Sequence, residues 1–258
     1  LQDLYISTNG NEWNWHDGSY GVPWNFTANC NPCEENWQGV TCRSYPNTAS
    51  QNIIKLSLKN YNLQGTLPAT LMELTKLENI ILSYNYIYGT IPTSFGEFYN
   101  LQTLVLQNNP QLTGPIPTEL GNLNMLTELD IGHSSLTGTI PTSLGQLYNL
   151  ETFVLQYNVK LTGSIPMELG NLNLLTEMYL NDCSLTGTIP SSFGQLNHLK
   201  YLWLYNNIQL TGSIPKELGN LSMLIELDID SCSLTGTIPT TIGQLYNLQK
   251  ISLHDNPQ

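Results

Sequence analysis

Positive charge is scarce in this sequence. Only 8 Lys+Arg stand against 20 Asp+Glu, for a net charge of −12. Binding to phosphate backbones needs a basic stripe, so nucleic acid is excluded as a partner. No polybasic segment suits an anionic membrane surface. Charge of either sign is sparse, at 11% of residues against about 25% in an average soluble domain. No run of about 18 apolar residues exists, so no segment reads as a membrane span. Disorder is excluded as well, because apolar residues make up 40% of the chain and Leu is abundant.

What is present is a repeat. An "IP" or "LP" dipeptide recurs with its proline at Pro68, Pro92, Pro117, Pro141, Pro166, Pro190, Pro215 and Pro239. The steps alternate between 24 and 25 residues, so the true unit is a pair of repeats 49 residues long. Four pairs fill 63–111, 112–160, 161–209 and 210–258, and the second and third are close copies. Within each repeat, apolar residues follow L-x-x-L-x-L-x-x-N/C-x-L, as in Leu175, Met178, Leu180, Cys183 and Leu185. Side chains alternate along a strand, so the two Leu of L-x-L face a core and the intervening residues face outward. One such unit cannot bury its apolar edge alone, but stacked units make a continuous core and a parallel sheet.

The pattern "L-T-G-x-I-P-x-x-L/F-G-x-L-x-x-L-x-x-L-x-L-x-x-N" resembles the plant-type leucine-rich repeat over about 53–258. The resemblance implies an α/β fold: a right-handed, curved solenoid with a parallel β-sheet on its concave face and short helical turns on its convex side. Several columns fit that expectation. Asn85, Asn109, Asn158, Asn207 and Asn256 stand where buried amides can satisfy backbone groups of adjacent coils. Gly121, Gly145 and their equivalents suit a positive φ that closes a short turn. Glu119, Glu168 and Glu217 sit at the expected turn starts, where negative charge is favoured.

Residues 1–52 do not repeat and read as an N-terminal cap. Leu1, Leu4 and Tyr5 predict a short helix ending near Gly10. Trp13, Trp15, Trp24 and Trp37 supply aromatic bulk to cover the open end of a solenoid. "NPCEENWQGVTC" (Asn31 to Cys42) resembles the cap of plant-type ectodomains, and that resemblance implies a Cys33–Cys42 disulfide. A Cys30–Cys42 bridge is the alternative. Cys183 and Cys232 are 49 residues apart, two coils or roughly 10 Å, which is too far to bridge. They read as buried thiols. Asn25 and Asn220 open N-glycosylation sequons, which with the disulfide predicts a secreted or cell-surface protein. A start at Leu1 without Met points to a mature or trimmed form. No C-terminal cap is visible before Gln258.

The outward positions of the strands form the expected contact surface. Acidic strands alternate with neutral or aromatic ones, and aromatics gather toward the C-terminal half. Tyr157, Tyr179, Asp182, Tyr201, Trp203, Tyr205, Asp228 and Asp230 are the candidate ligand-binding residues. Trp203 leads, because every other Trp lies in the cap and its parity turns it outward. The function expected is extracellular recognition of a protein, peptide or glycan on the concave face. Self-association, or membership of a larger parent chain, is compatible with it. The alternative is a structural surface or matrix glycoprotein. A third reading, ice binding, rests on the Thr113, Thr137, Thr162, Thr186, Thr211 and Thr235 column, and strand propensity explains the same residues. The four His are scattered, and the carboxylate pairs lie along single strands of an open surface. No enzyme activity, cofactor or metal is therefore expected.

Overall fold

The computed structural model describes residues 1–26, 30–44 and 51–257. Thr27 of the first sequon, and Gln258, lie outside the described residues. Among the described residues, ten strands form the main sheet: Val40–Ser44, Gln51–Ser57, Asn79–Ile81, Thr103–Val105, Glu128–Asp130, Thr152–Val154, Glu177–Tyr179, Tyr201–Trp203, Glu226–Asp228 and Lys250–Ser252. The first two pair antiparallel, and every later neighbour pairs parallel. Short 3-10 turns lie on the far side, from Ala69–Glu73 to Thr240–Gln244, each entered through a repeat proline such as Pro68 or Pro239. That proline holds extended backbone and has no N–H to leave unpaired at the turn start.

A second sheet was not foreseen from the sequence. Eight short strands, from Gln64–Gly65 through Gln111–Pro115 and Lys160–Ser164 to Ser233–Leu234, join the "LTG" segments of successive coils. The Thr column lies in it but is not a straight ladder. Pairing places Thr113 against Ser135, Thr162 against Ser184 and Thr211 against Ser233, so each of these Thr meets a Ser and not the next Thr of the column.

The core is one continuous column of Leu, Ile and Phe running from the cap to the last coil. Both Leu of each L-x-L motif, Leu104 and Leu106 for example, are fully buried. The Asn column closes the backbone of the bend beside it. Asn158 Nδ2 donates to the carbonyls of Leu155, 2.8 Å, on its own coil and Ile131, 3.0 Å, on the previous one. Its Oδ1 accepts the Leu136 N–H at 3.0 Å. Asn207 and Asn256 repeat the pattern. On the alternate coils, Cys183 and Cys232 point a thiol at the Leu155 and Leu204 carbonyls. Both are buried, and burial pushes their thiols up to about 12 and about 11, so they are un-ionised.

The cap follows the sequence. A helix spans Gln2–Ser7, and a disulfide joins Cys33 to Cys42, with Cys30 half-buried against the core. Trp13, Trp24 and Trp37 are buried and packed ring on ring. Gln38 sits fully buried among them, and its amide group bonds His16 and Gly21. The cap strand Val40–Ser44 pairs with Gln51–Ser57, which is also the first strand of the repeat sheet.

The "LG" glycines do not take the positive φ expected of them. Positive φ belongs to the "LTG" glycines, such as Gly114 and Gly138 at 80° and 76°. The "LG" glycines have no positive φ; they are glycine because the coils touch there. A Cβ on Gly145 would lie 2.4 Å from the Glu168 carbonyl oxygen of the next coil. A Cβ on Gly138 would come no closer than 3.7 Å to anything. Gly145→Ala should therefore cost roughly 3 kcal/mol by overpacking. Gly138→Ala should cost about 1 kcal/mol of backbone strain. Urea denaturation of the two variants checks the order, and the reverse order would contradict contact between coils as the constraint.

Candidate functional site

Each strand of the main sheet contributes two outward side chains, and parallel pairing sets these in rows across the coils. One row runs Val105, Asp130, Val154, Tyr179, Trp203, Asp228 and Ser252. The other runs Thr103, Glu128, Thr152, Glu177, Tyr201, Glu226 and Lys250. Two residues further along each chain, Gln107, Gly132, Gln156, Asn181, Tyr205, Asp230 and His254 continue the surface. The next residue on every coil has a positive φ: Tyr84, Asn108, His133, Tyr157, Asp182, Asn206, Ser231 and Asp255 lie between 50° and 59°. Asn, Asp and His tolerate that region, whereas Tyr holds it under strain. No sequence signal marks this column as left-handed, because Tyr84, Tyr157 and Ser231 are poor formers of it.

The surface is less open than strand parity alone predicts. Val105, Asp130 and Val154 are buried, and so is Asn181. Neighbouring coils stand only about 4.8 Å apart, so adjacent side chains cover one another. Asp130 lies between the two valines, and its Oδ1 accepts the Gly132 N–H at 3.1 Å.

The sequence-predicted residues meet in the C-terminal half. Tyr179 packs on Trp203 with ring centroids 4.5 Å apart, and Trp203 on Tyr205 at 6.2 Å. Asp228 is the register neighbour of Trp203 on the other side, and Tyr201 stands between Glu177 and Glu226. Asp182 accepts from Asn181 and from Asn206, both at 2.8 Å. Tyr157 stands at the edge of this packing: its ring stacks on His133 at 4.2 Å, and its side chain hydrogen-bonds Tyr205. Lys250 pairs with Glu226 at 2.6 Å and reaches Asp228 at 3.8 Å, while His254 faces Asp230 at 3.6 Å. Burial, reinforced by Asp230 and Glu226, raises the Asp228 carboxyl above its usual range against the pull of Lys250. Burial likewise raises the Tyr179 and Tyr205 hydroxyls, so both stay protonated.

One property sets this patch apart. Among the described residues, three buried side-chain polar atoms have no hydrogen-bond partner: Asn181 Oδ1, Trp203 Nε1 and Asp230 Oδ1. All three fall on adjacent coils of this surface. Asn181 was missed as a site residue, and no pattern in the sequence distinguishes it from its equivalent Gln156. Among the described residues no group of three His, Cys, Asp or Glu side chains could hold a metal ion.

Family patterns named leucine rich repeat match 75–136 and, separately, 174–196, 198–221 and 223–245. The chain belongs to the leucine-rich repeat family. Its repeats are of the plant type, as in the ectodomains of plant receptors. Phytosulfokine receptor 1 of Arabidopsis thaliana is 42% identical over 74 residues, 29% of this chain and 7% of the relative. The ectodomain of the Arabidopsis thaliana receptor kinase GASSHO1/SCHENGEN3, in complex with CASPARIAN STRIP INTEGRITY FACTOR 2, superimposes with a TM-score of 0.86 at 35% identity. That match covers 99% of this chain and 30% of the other. The plant peptide hormone receptor RGFR1, in complex with RGF2, gives 0.79 at 34% identity over 86% of this chain and 37% of its own. This leucine-rich repeat chain thus spans about a third of those two receptor chains, and its matched stretch spans under a tenth of the curated receptor. Among the described residues no helix is long and apolar enough to cross a membrane.

The enclosed carboxyl yields a prediction. Burial, with Glu128 nearby, pushes Asp130 up to about 6 against the opposing Gly132 hydrogen bond. In the unfolded chain an Asp titrates near about 4. The folded state therefore holds this proton more tightly, and its stability falls as pH rises from about 4 to 6. Asp130→Asn keeps the acceptor and removes the charge. The variant should gain stability over the original chain as pH rises, by at most about 3 kcal/mol at pH 7. Urea midpoints at acid and neutral pH check this; a difference that stays constant with pH would mean the carboxyl is not enclosed.

Proposed function

We propose that this chain is an extracellular recognition module, without catalytic activity, that binds a polypeptide ligand across the C-terminal half of its concave face. Tyr179, Asp182, Tyr201, Trp203, Tyr205, Asp228 and Asp230 form the contact, with Tyr157 at its edge. The observation that carries this reading is the clustering of three enclosed, unpaired polar atoms beside half-buried aromatic rings. Unpaired buried groups cost free energy, and aromatic rings set among them have the composition of an interaction hot spot. Similarity to receptors solved with bound ligands supports ligand recognition. The Cys33–Cys42 disulfide agrees with an extracellular setting. We further propose that Asn25 and Asn220 carry glycans. Asn220 is exposed at the end of the turn Lys216–Asn220, on the side away from the contact face.

A random-peptide library selected on the folded chain tests the reading. Trp203→Ala should weaken selected peptides by about 30-fold, the effect of losing a hot-spot residue. Tyr148→Ala, exposed on the turn side, should leave them unchanged. Binding that ignores Trp203→Ala would place the site elsewhere. Expression through a secretory pathway checks the sugar: Asn220→Gln should lower the mass by one glycan, and an unchanged mass would remove that assignment.

A further inference from the structure

The patch around Trp203 has an electrical sign and a donor–acceptor balance, and together they specify more than a polypeptide. Glu226, Asp228 and Asp230 lie on one coil beside Trp203, with Asp182 two coils back. The cations facing the three are Lys250, already committed to Glu226 at 2.6 Å, and His254, which charges only if protonated. Carboxylate charge therefore exceeds its local counter-charge. Of the three unpaired atoms, two are acceptors, Asn181 Oδ1 and Asp230 Oδ1, and one is a donor, Trp203 Nε1. Asn181 is completely buried, and strand parity turns it to the concave side beneath this patch. The Asp230 side chain remains 29% exposed, so one rotation presents its unpaired oxygen at the surface.

We infer that this subsite takes an arginine side chain of the ligand; the inference rests on the proposed recognition role. A guanidinium is planar, donates up to five hydrogen bonds and accepts none. It matches the unpaired Asp230 oxygen and the surplus carboxylate charge. It also stacks on aromatic faces and gives up its hydration more readily than an ammonium, which suits a half-buried site beside an indole. The guanidinium lies against Trp203 and donates to Asp228 and Asp230. The indole N–H takes a main-chain carbonyl of the same ligand, the one acceptor the patch asks for. An acidic or apolar side chain would leave the Asp230 oxygen unpaired, and a neutral donor would leave the carboxylates unbalanced.

The probe is N-acetyl-arginine methylamide, titrated into the intact 15N-labelled chain and followed through the Trp203 indole N–H signal, assigned by its loss in Trp203→Phe. The citrulline counterpart, equal in shape but uncharged, is the control. The Trp203 signal should move with the arginine compound and respond at least about tenfold more weakly to citrulline, the difference made by charge-assisted hydrogen bonds. Asp230→Asn, which preserves shape, should weaken the arginine compound by a similar factor while the remaining spectrum stays dispersed. Equal response to both compounds, no response to either, or unchanged affinity in Asp230→Asn would overturn the inference. If library peptides still bind through Trp203 in that event, recognition stands and only the arginine subsite falls. If they do not, both fall.

Discussion

The fold depends on one constraint: coils stacked about 4.8 Å apart must bury a bend of backbone on every turn without leaving its N–H and C=O groups unpaired. The asparagine column meets it. One amide such as Asn158 ties two carbonyls, one from each of two coils, and an N–H of the previous coil. The cysteine of the alternate coil needs only a thiol pointed at a carbonyl. This alternation gives physical content to the 49-residue pair. Glycine enforces the same spacing on the far side, where Gly145 leaves no room for a methyl group against Glu168.

Uniform spacing also shapes the contact surface. Outward side chains on adjacent coils are close enough to cover one another, so the concave face varies in polarity and in depth. At one equivalent position, valines on two coils enclose Asp130, and three coils further on the same row holds Trp203 between Tyr179 and Asp228. The N-terminal half of the row is filled and satisfied. The C-terminal half holds the unpaired Trp203 Nε1, with the other two unpaired atoms two residues along on the adjacent coils. One scaffold thus carries a closed stretch and an open one, and the difference comes from residues that do not affect the stacking.

Much of this was legible in the sequence, because period and parity are properties of a chain in one dimension. The Leu positions, the Asn column, the aromatic cap and the facing of Trp203 follow from spacing. The Cys33–Cys42 bridge followed from resemblance to known caps. What escaped depends on neighbours in the third dimension. The second sheet pairs short "LTG" segments whose alternation is too brief to read. The "LG" glycines were read as positive-φ residues because close approach between coils and a positive φ call for the same residue. Tyr84 and Tyr157 take left-handed backbone against their own preference, since the bend requires it of every coil. The burial of Asp130 and Asn181 comes from side chains on adjacent coils, and no single repeat displays it.

The unpaired patch on coils 177–182, 201–206 and 226–231 is the surface proposed to meet the ligand. A crystal structure of the chain with a library-selected peptide would locate the contact. The expected peptide crosses those three coils, with a carbonyl on the Trp203 indole N–H and a donor on Asp230. A peptide seated on the second sheet, on the convex turns or on the filled strands before Tyr157 would contradict it. So would a bound state in which Asn181, Trp203 and Asp230 remain unpaired.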